Sequence, residues 1–248
     1  MAQERQENTE ISPWWGEHVH RYIIASEEIK ENSTILDIAC GTGFGAFHLS
    51  KIKGSRVYGI DLSEEAITEC SNLYKNSNLH FKVGDATKLP FENEHFDYIT
   101  SFETIEHSTE YSKILSEFNR ILKKGGVLFL STPNIKVNSP TGIVTNPYHT
   151  QEFTYQEVQE IIEKEFSNFS FGGQKYTRYK KQNIIASIFE KIFYLRGFRK
   201  TPIKLLDWIM NKLIGKTFYP EITDFEIVYS NRMEVENCKT FFIKCMKS

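Results

Sequence analysis

The chain has 248 residues, with 30 Lys and Arg against 32 Asp and Glu, a formal net charge of −2, and 40% hydrophobic residues. That length holds one large domain with an ample core, or a domain plus an insertion. The balanced charge excludes a strongly basic, nucleic-acid-binding chain, so no nucleic-acid partner is expected. The opening M-A-Q-E-R-Q-E-N-T-E lacks the apolar h-region of a secretory signal. No apolar run approaches the roughly 20 residues that span a bilayer, and a cytoplasmic protein is expected. Cys40, Cys70, Cys238 and Cys245 form no C-x-x-C pair, as for reduced thiols without structural zinc.

Residues 1–12 read as a disordered tail. From Trp14 the apolar positions Val19, Tyr22, Ile23 and Ile29 fit a helical stripe that ends near Asn32. Strands and helices then alternate: strand 34–40, helix 44–52, strand 56–61, helix 63–76, strands 79–84 and 96–102, helix 110–123, strand 127–132 and helix 154–166. Such alternation builds a parallel sheet covered by helices on both faces. Ser63, followed by Glu64 and Glu65, is an N-cap signal. Lys123, Lys124 and Gly125 read as the close of the helix before them. A sixth strand falls in S-N-F-S-F-G-G-Q-K-Y and a last one in C-K-T-F-F-I-K-C-M-K.

The first strand runs directly into a glycine-rich turn, I-L-D-I-A-C-G-T-G-F-G. Glycines at 41 and 43 permit positive φ and close approach of a ligand to the backbone. The helix that follows aims its free N–H groups at the same point. Gly41, Gly43 and Ala46 also satisfy the dinucleotide fingerprint, so this loop alone is ambiguous. The neighbouring acids favour a different ligand. Asp37 lies inside the strand, Asp61 ends the second strand where a carboxylate accepts both ribose hydroxyls, and Asp85 ends the third within reach of an adenine amine. Together they describe a pocket for adenosine with a small zwitterionic tail.

The strings D-I-A-C-G-T-G, G-I-D-L-S, G-D-A-T-K-L-P-F, F-D-Y-I-T-S-F-E-T-I-E-H and R-I-L-K-K-G-G-V-L-F-L-S-T-P-N stand in the order found in class I S-adenosylmethionine-dependent methyltransferases, which the chain resembles over roughly residues 16–175. The resemblance implies a doubly wound, Rossmann-like, seven-stranded and mostly parallel sheet with an antiparallel last strand. It implies S-adenosyl-L-methionine as cofactor. The amino-acid end is expected on Asp37 and the backbone of Ala39, Gly41 and Gly43, and the ribose on Asp61. Leu62 is expected over the adenine, Asp85 and the Ala86 N–H at its edge, and Phe102 at the end of the fourth strand. In similar enzymes a leading helix folds over the cofactor, which brings Arg21 or Tyr22 to the methionine carboxylate; a packing role for Tyr22 is the alternative.

Methyl transfer requires alignment and, for a hydroxyl acceptor, removal of a proton. His149 and His107, from the loops after the fifth and fourth strands, are the candidate bases, with His149 preferred; a loop-holding role is the alternative for each. Glu106 and Glu152 are secondary candidates, and Glu106 and Tyr148 are placed to line the acceptor site. No hard-oxygen ligand set is apparent, so transfer without a metal is expected.

The domain is expected over 13–175 and 237–248, with 176–236 as a helical insertion between the last two strands. The stretch 175–216 carries eleven cations against Glu190 and Asp207, interleaved with apolar residues at helical spacing. It reads as a lid whose Arg178, Lys180 and Lys181 meet a phosphorylated acceptor, as a helix pair touching anionic lipid at the inner membrane face, or as a cap or homodimer surface. S-F-E-T-I-E-H, S-T-P-N and N-P-Y-H-T-Q-E-F-T are similar to methyltransferases of bacterial surface-polysaccharide (capsule or lipopolysaccharide) biosynthesis. The acceptor expected first is therefore a sugar, nucleotide-linked sugar or phosphoryl-type substituent. A quinone precursor or other lipophilic small molecule is the alternative, and a non-catalytic cofactor-binding scaffold a third reading.

Overall fold

β1 (Thr34–Ile38) is buried on both faces, as a strand must be when helices cover the sheet on either side, and is apolar there except for Asp37. Its side chains divide between two cores. Leu36 and Ile38 pack with Ile60, Ile99, Phe118, Ile121, Val158 and Ile162. Ile35 packs on the other face with Tyr22, Ala25, Leu49, Val57, Phe129 and Phe242. The period-2 alternation of the strand thus feeds both layers.

The computed structural model describes residues 15–177, 208, 212, 220–229 and 231–248. The expected tail at 1–12 and most of the basic stretch, Arg178, Lys180 and Lys181 included, lie outside the described residues. Among the described residues the elements run α1 (Trp15–Glu28), β1, α2 (Phe44–Leu49), β2 (Arg56–Asp61), α3 (Glu64–Leu73), β3 (Leu79–Val83), β4 (Phe96–Phe102), α4 (Tyr111–Ile121), β5 (Leu122–Pro133), α5 (Ile135–Asn138), α6 (Tyr155–Glu163), β6 (Asn168–Tyr176), β7 (Phe225–Val228) and β8 (Thr240–Met246). Of the described residues, the chain forms two compact units, one holding 21–175, 227–229 and 231–248, the other holding 15–20, 176–177, 208, 212 and 220–226.

The sheet has the order β3-β2-β1-β4-β5-β8-β6-β7. β1 pairs in parallel with both β2 and β4, and β5 in parallel with β4. β8 runs antiparallel to β5 and β6. The sheet is therefore eight-stranded where seven strands were expected. The added strand, β7, lies inside the span expected to be helical, where Phe225, Ile227 and Val228 give an apolar run of aromatic and β-branched residues. Of the expected helical stretch, Trp208 and Lys212 stand on helical backbone, with the Lys212 ammonium 4.4 Å from the centre of the Trp208 ring.

The helices α1, α2, α3, α4 and α6 each end two to four residues before the sequence-based expectation, and for α1 and α4 the local contacts show why. α1 stops at Glu28, four residues short of Asn32, which sits at φ +61 and donates its backbone N–H to Lys53. α4 stops at Ile121, and Leu122 is already extended. Lys123 turns away to Asp97, while Lys247 supplies the cation that meets the carbonyls of Arg120 and Leu122. Ser63 caps α3 through the Ala66 N–H as expected.

Candidate active site

The strand order reverses between β1 and β4, and ligands of open α/β sheets bind beyond the carboxyl ends of the strands at such a switch point. The expected site residues at 37–43 and 102–107 stand there.

The turn after β1 is held in left-handed backbone at Ala39 (φ +54), Gly41 (+52) and Gly43 (+76). A non-glycine residue in that region carries about 1–3 kcal/mol of strain, so the surrounding contacts must over-determine Ala39. Asp61 supplies some of them. Its carboxylate accepts from the N–H groups of Gly41 and Ser63, each at 2.9 Å, and so ties the glycine turn to the end of β2. A carboxylate offers roughly four acceptor positions, so Asp61 keeps acceptor capacity beyond these two bonds. A Cβ on Gly41 would meet no atom within 4 Å, so that glycine faces open space, whereas one on Gly43 would lie 2.7 Å from the sulfur of Cys70.

Asp37 is fully buried under this turn. Its Oδ1 accepts from the Tyr22 hydroxyl at 2.9 Å and from the Thr100 hydroxyl at 2.7 Å. Its buried Oδ2 has no hydrogen-bond partner, although the Ala46 amide lies near enough to favour the charged form. Burial outweighs these donors and pushes the carboxyl up to about 7. Tyr22 is held by edge-on contacts with Phe44 and Phe102, and burial raises its phenol well above the usual range. Arg21, also buried, donates to Gln174 at 2.8 Å and lies 3.6 Å from Glu103. The leading helix therefore reaches the glycine turn through Tyr22 on Asp37.

Leu62 is 62% exposed just beyond the end of β2. Asp85 is exposed beyond β3, where its carboxylate accepts from the Thr87 N–H, and that bond holds it below its usual range. Ala86 stands beside it, half-buried. An orphaned buried acid, an open glycine cradle and strand-end acids with spare acceptor positions fit a zwitterionic adenosine cofactor.

Beyond β4 a short 3₁₀ turn, Ile105–His107, carries the second cluster. Glu106 is fully buried. Its Oε2 accepts from Thr132, its Oε1 has no hydrogen-bond partner, and burial, reinforced by the charge of Glu103, holds it well above the carboxylate range. Its carbonyl accepts from the N–H and hydroxyl of Thr150, which brings the loop after β5 alongside. His107 is exposed, with Nδ1 3.0 Å from the Tyr148 carbonyl, a group that only accepts. Neutral His107 therefore carries its proton on Nδ1 and its lone pair on Nε2. His149 is more enclosed: Nδ1 meets the Glu152 carboxylate at 2.9 Å and Nε2 meets the Asn146 amide at 3.0 Å. The two rings stand edge to face with centres 5.0 Å apart.

The two expected histidines and Glu106 thus converge, as do Tyr22, Asp37 and the glycine turn. Sequence reasoning missed Thr100, Gly45 and Cys70. A Cβ on Gly45 would stand 2.0 Å from the Tyr22 ring, so this glycine is the seat of Tyr22. The G-F-G spacing was the available signal.

The family model described as "Methyltransferase domain" matches residues 29–192, more than half of the chain. A probable S-adenosylmethionine-dependent methyltransferase of Mycolicibacterium smegmatis is 32% identical over 130 residues, 52% of this chain and 49% of that protein. Demethylmenaquinone methyltransferase of Staphylococcus carnosus is 37% identical over 121 residues, 46% of this chain and 50% of that protein. The match thus spans about half the length of these curated relatives. The structure of an S-adenosylmethionine-dependent methyltransferase from Thermotoga maritima superposes with a TM-score of 0.60 at 16% identity, covering 95% of this chain and 93% of that one. The chain belongs to the methyltransferase-domain family, has the class I S-adenosylmethionine-dependent fold, and takes S-adenosyl-L-methionine as its cofactor.

Proposed function

We propose that this protein transfers the methyl group of S-adenosylmethionine to a hydroxyl of a lipophilic small molecule of the quinone-precursor class. The observation that carries this reading is the loop after β5, which joins the Glu106–His107–His149 cluster and exposes Val137, Ile143 and Tyr148. Exposed large apolar side chains on the segment that also supplies His149 suit an acceptor with an apolar ring and one reactive polar group. The similarity to demethylmenaquinone methyltransferase supports the same class. The sugar-type acceptor expected first rested on the similarity of the S-F-E-T-I-E-H, S-T-P-N and N-P-Y-H-T-Q-E-F-T strings to methyltransferases of surface-polysaccharide biosynthesis, and the relatives named above add no support to it.

The bound cofactor supplies an electrophilic methyl group. In this reading Asp37 and the turn at 39–43 orient its amino-acid end, Asp61 holds the ribose, Leu62 and the Asp85–Ala86 edge take the adenine, and Phe102 walls the cleft. The acceptor hydroxyl lies against the second cluster, where His107 presents its Nε2 lone pair. A screen of lipophilic quinols against phosphorylated and nucleotide-linked sugars, read as S-adenosylhomocysteine formed, tests the class. Lipophilic quinols are expected to turn over, and Ile143→Asp is expected to raise their KM without changing cofactor affinity. Turnover with the sugars alone, or an unchanged KM, contradicts the reading.

A further inference from the structure

Glu106, His107 and His149 each offer one ligand atom, and the three atoms lie within 4.8 Å of one another. Two atoms bound to one cation at roughly 2.1 Å stand up to about 4.2 Å apart, so small side-chain rotations close the set. Both rings are already held in the manner of ligating histidines. Nδ1 of His107 meets a backbone carbonyl and Nδ1 of His149 meets the Glu152 carboxylate. Metal-bound histidines nearly always donate their second ring N–H to such a group, which fixes the tautomer and directs the other nitrogen at the ion. Glu106 completes the set: Thr132 holds one oxygen, while the other is buried, has no hydrogen-bond partner and faces His107 Nε2 at 4.0 Å. A buried polar oxygen left without a hydrogen bond is costly, and a cation held by the two rings would satisfy it.

We propose that Glu106, His107 and His149 form a divalent-cation site for Mn²⁺, Fe²⁺, Co²⁺ or Zn²⁺, with open positions for the acceptor's oxygen. Two imidazoles and one carboxylate suit these ions, whereas Mg²⁺ and Ca²⁺ favour all-oxygen sets. Three protein ligands leave coordination positions unfilled, as in catalytic rather than structural sites. The Asn146 amide, now on His149 Nε2, is a contact the ion displaces. This departs from the metal-independent transfer expected from sequence, because the ligands come from two loops 42 positions apart and no local spacing announces them. Ion binding stands on the cluster alone; the ion's role rests on the proposed hydroxyl acceptor. There the ion polarises the acceptor hydroxyl, whose proton passes to water. The oxygen's electron pair forms the new O–C bond as the C–S bond of the sulfonium breaks, its pair remaining on sulfur.

The test uses the full chain, stripped with a chelator and titrated with Mn²⁺ while the free-ion electron paramagnetic resonance signal is followed, with Zn²⁺ as competitor. One ion per chain is expected, displaced by Zn²⁺. His107→Ala and His149→Ala should each weaken binding roughly tenfold or more, and Glu152→Gln, which removes only a second-sphere contact, roughly 10–100-fold. Circular dichroism reports folding; should either alanine variant unfold, Glu106→Gln keeps the side-chain volume and is expected to lose the ion. No ion retained by the parent protein, or unchanged affinity in folded variants, overturns the proposal. Parallel S-adenosylhomocysteine assays separate the two ideas: transfer to a quinol that persists without an ion overturns the ion's role in transfer, while the titration alone decides the site, and an ion bound without transfer to any quinol refutes the acceptor reading alone.

Discussion

Asp37 is a buried carboxyl that burial keeps near a pKa of about 7, against 3.8 in the unfolded chain. The folded state therefore holds this proton more tightly than the unfolded state, and the contribution of Asp37 to stability falls as pH rises from about 4 to about 7. A cationic amino group beside Asp37 favours the carboxylate, so cofactor binding should release a proton below pH 7 and tighten as pH rises toward 7. Calorimetry of S-adenosylmethionine binding in buffers of different ionisation enthalpy measures this, and Asp37→Asn should abolish the proton release. Asp61→Ala should weaken cofactor binding by roughly 1.5–3 kcal/mol, the scale of hydrogen bonds to a charged group. Unchanged affinity in a folded variant contradicts the ribose assignment. His107→Ala should lower turnover by about 10²–10⁴-fold while cofactor affinity stays nearly constant, whether the ring acts as a base or holds the ion; steady-state kinetics beside equilibrium binding separates the two effects.

At the scale of elements, the contact between α1 and the glycine turn depends on a glycine. Gly45 leaves the space that Tyr22 fills, and Tyr22 delivers its hydroxyl to Asp37. Gly45→Ala should displace the ring and cost about 1–3 kcal/mol, the usual range for overpacking. The variant should also bind S-adenosylmethionine more weakly. Thermal unfolding with and without cofactor checks both effects, and a variant as stable as the parent shows that α1 is not seated on this residue. The turn itself was legible in the sequence, because glycines at left-handed positions and acids at strand ends leave local signatures. So were β2 and β4, whose apolar runs end at strand-end residues. The Tyr22–Asp37 bond, the pairing of His149 with Glu152 and the burial of Glu106 were not, since each depends on segments that only the folded sheet brings together. β7 was missed for a related reason: a four-residue strand is too short for its pattern to outweigh the helical pattern upstream.

For the whole molecule, strand order places the two clusters at one switch point, the cofactor turn beyond β1 and the Glu106–His107–His149 group beyond β4. Among the described residues no helix is long and apolar enough to cross a membrane. Fold and cofactor are shared with a broad family; the acceptor class is the claim particular to this chain. It is tested most directly by incubating the full chain with S-adenosylmethionine labelled in its methyl group and a lipophilic quinol in detergent micelles, then extracting the organic phase. The account predicts label in the extracted quinol, with an equal amount of S-adenosylhomocysteine in the aqueous phase. Cofactor bound at full occupancy with no label transferred to any quinol would contradict it.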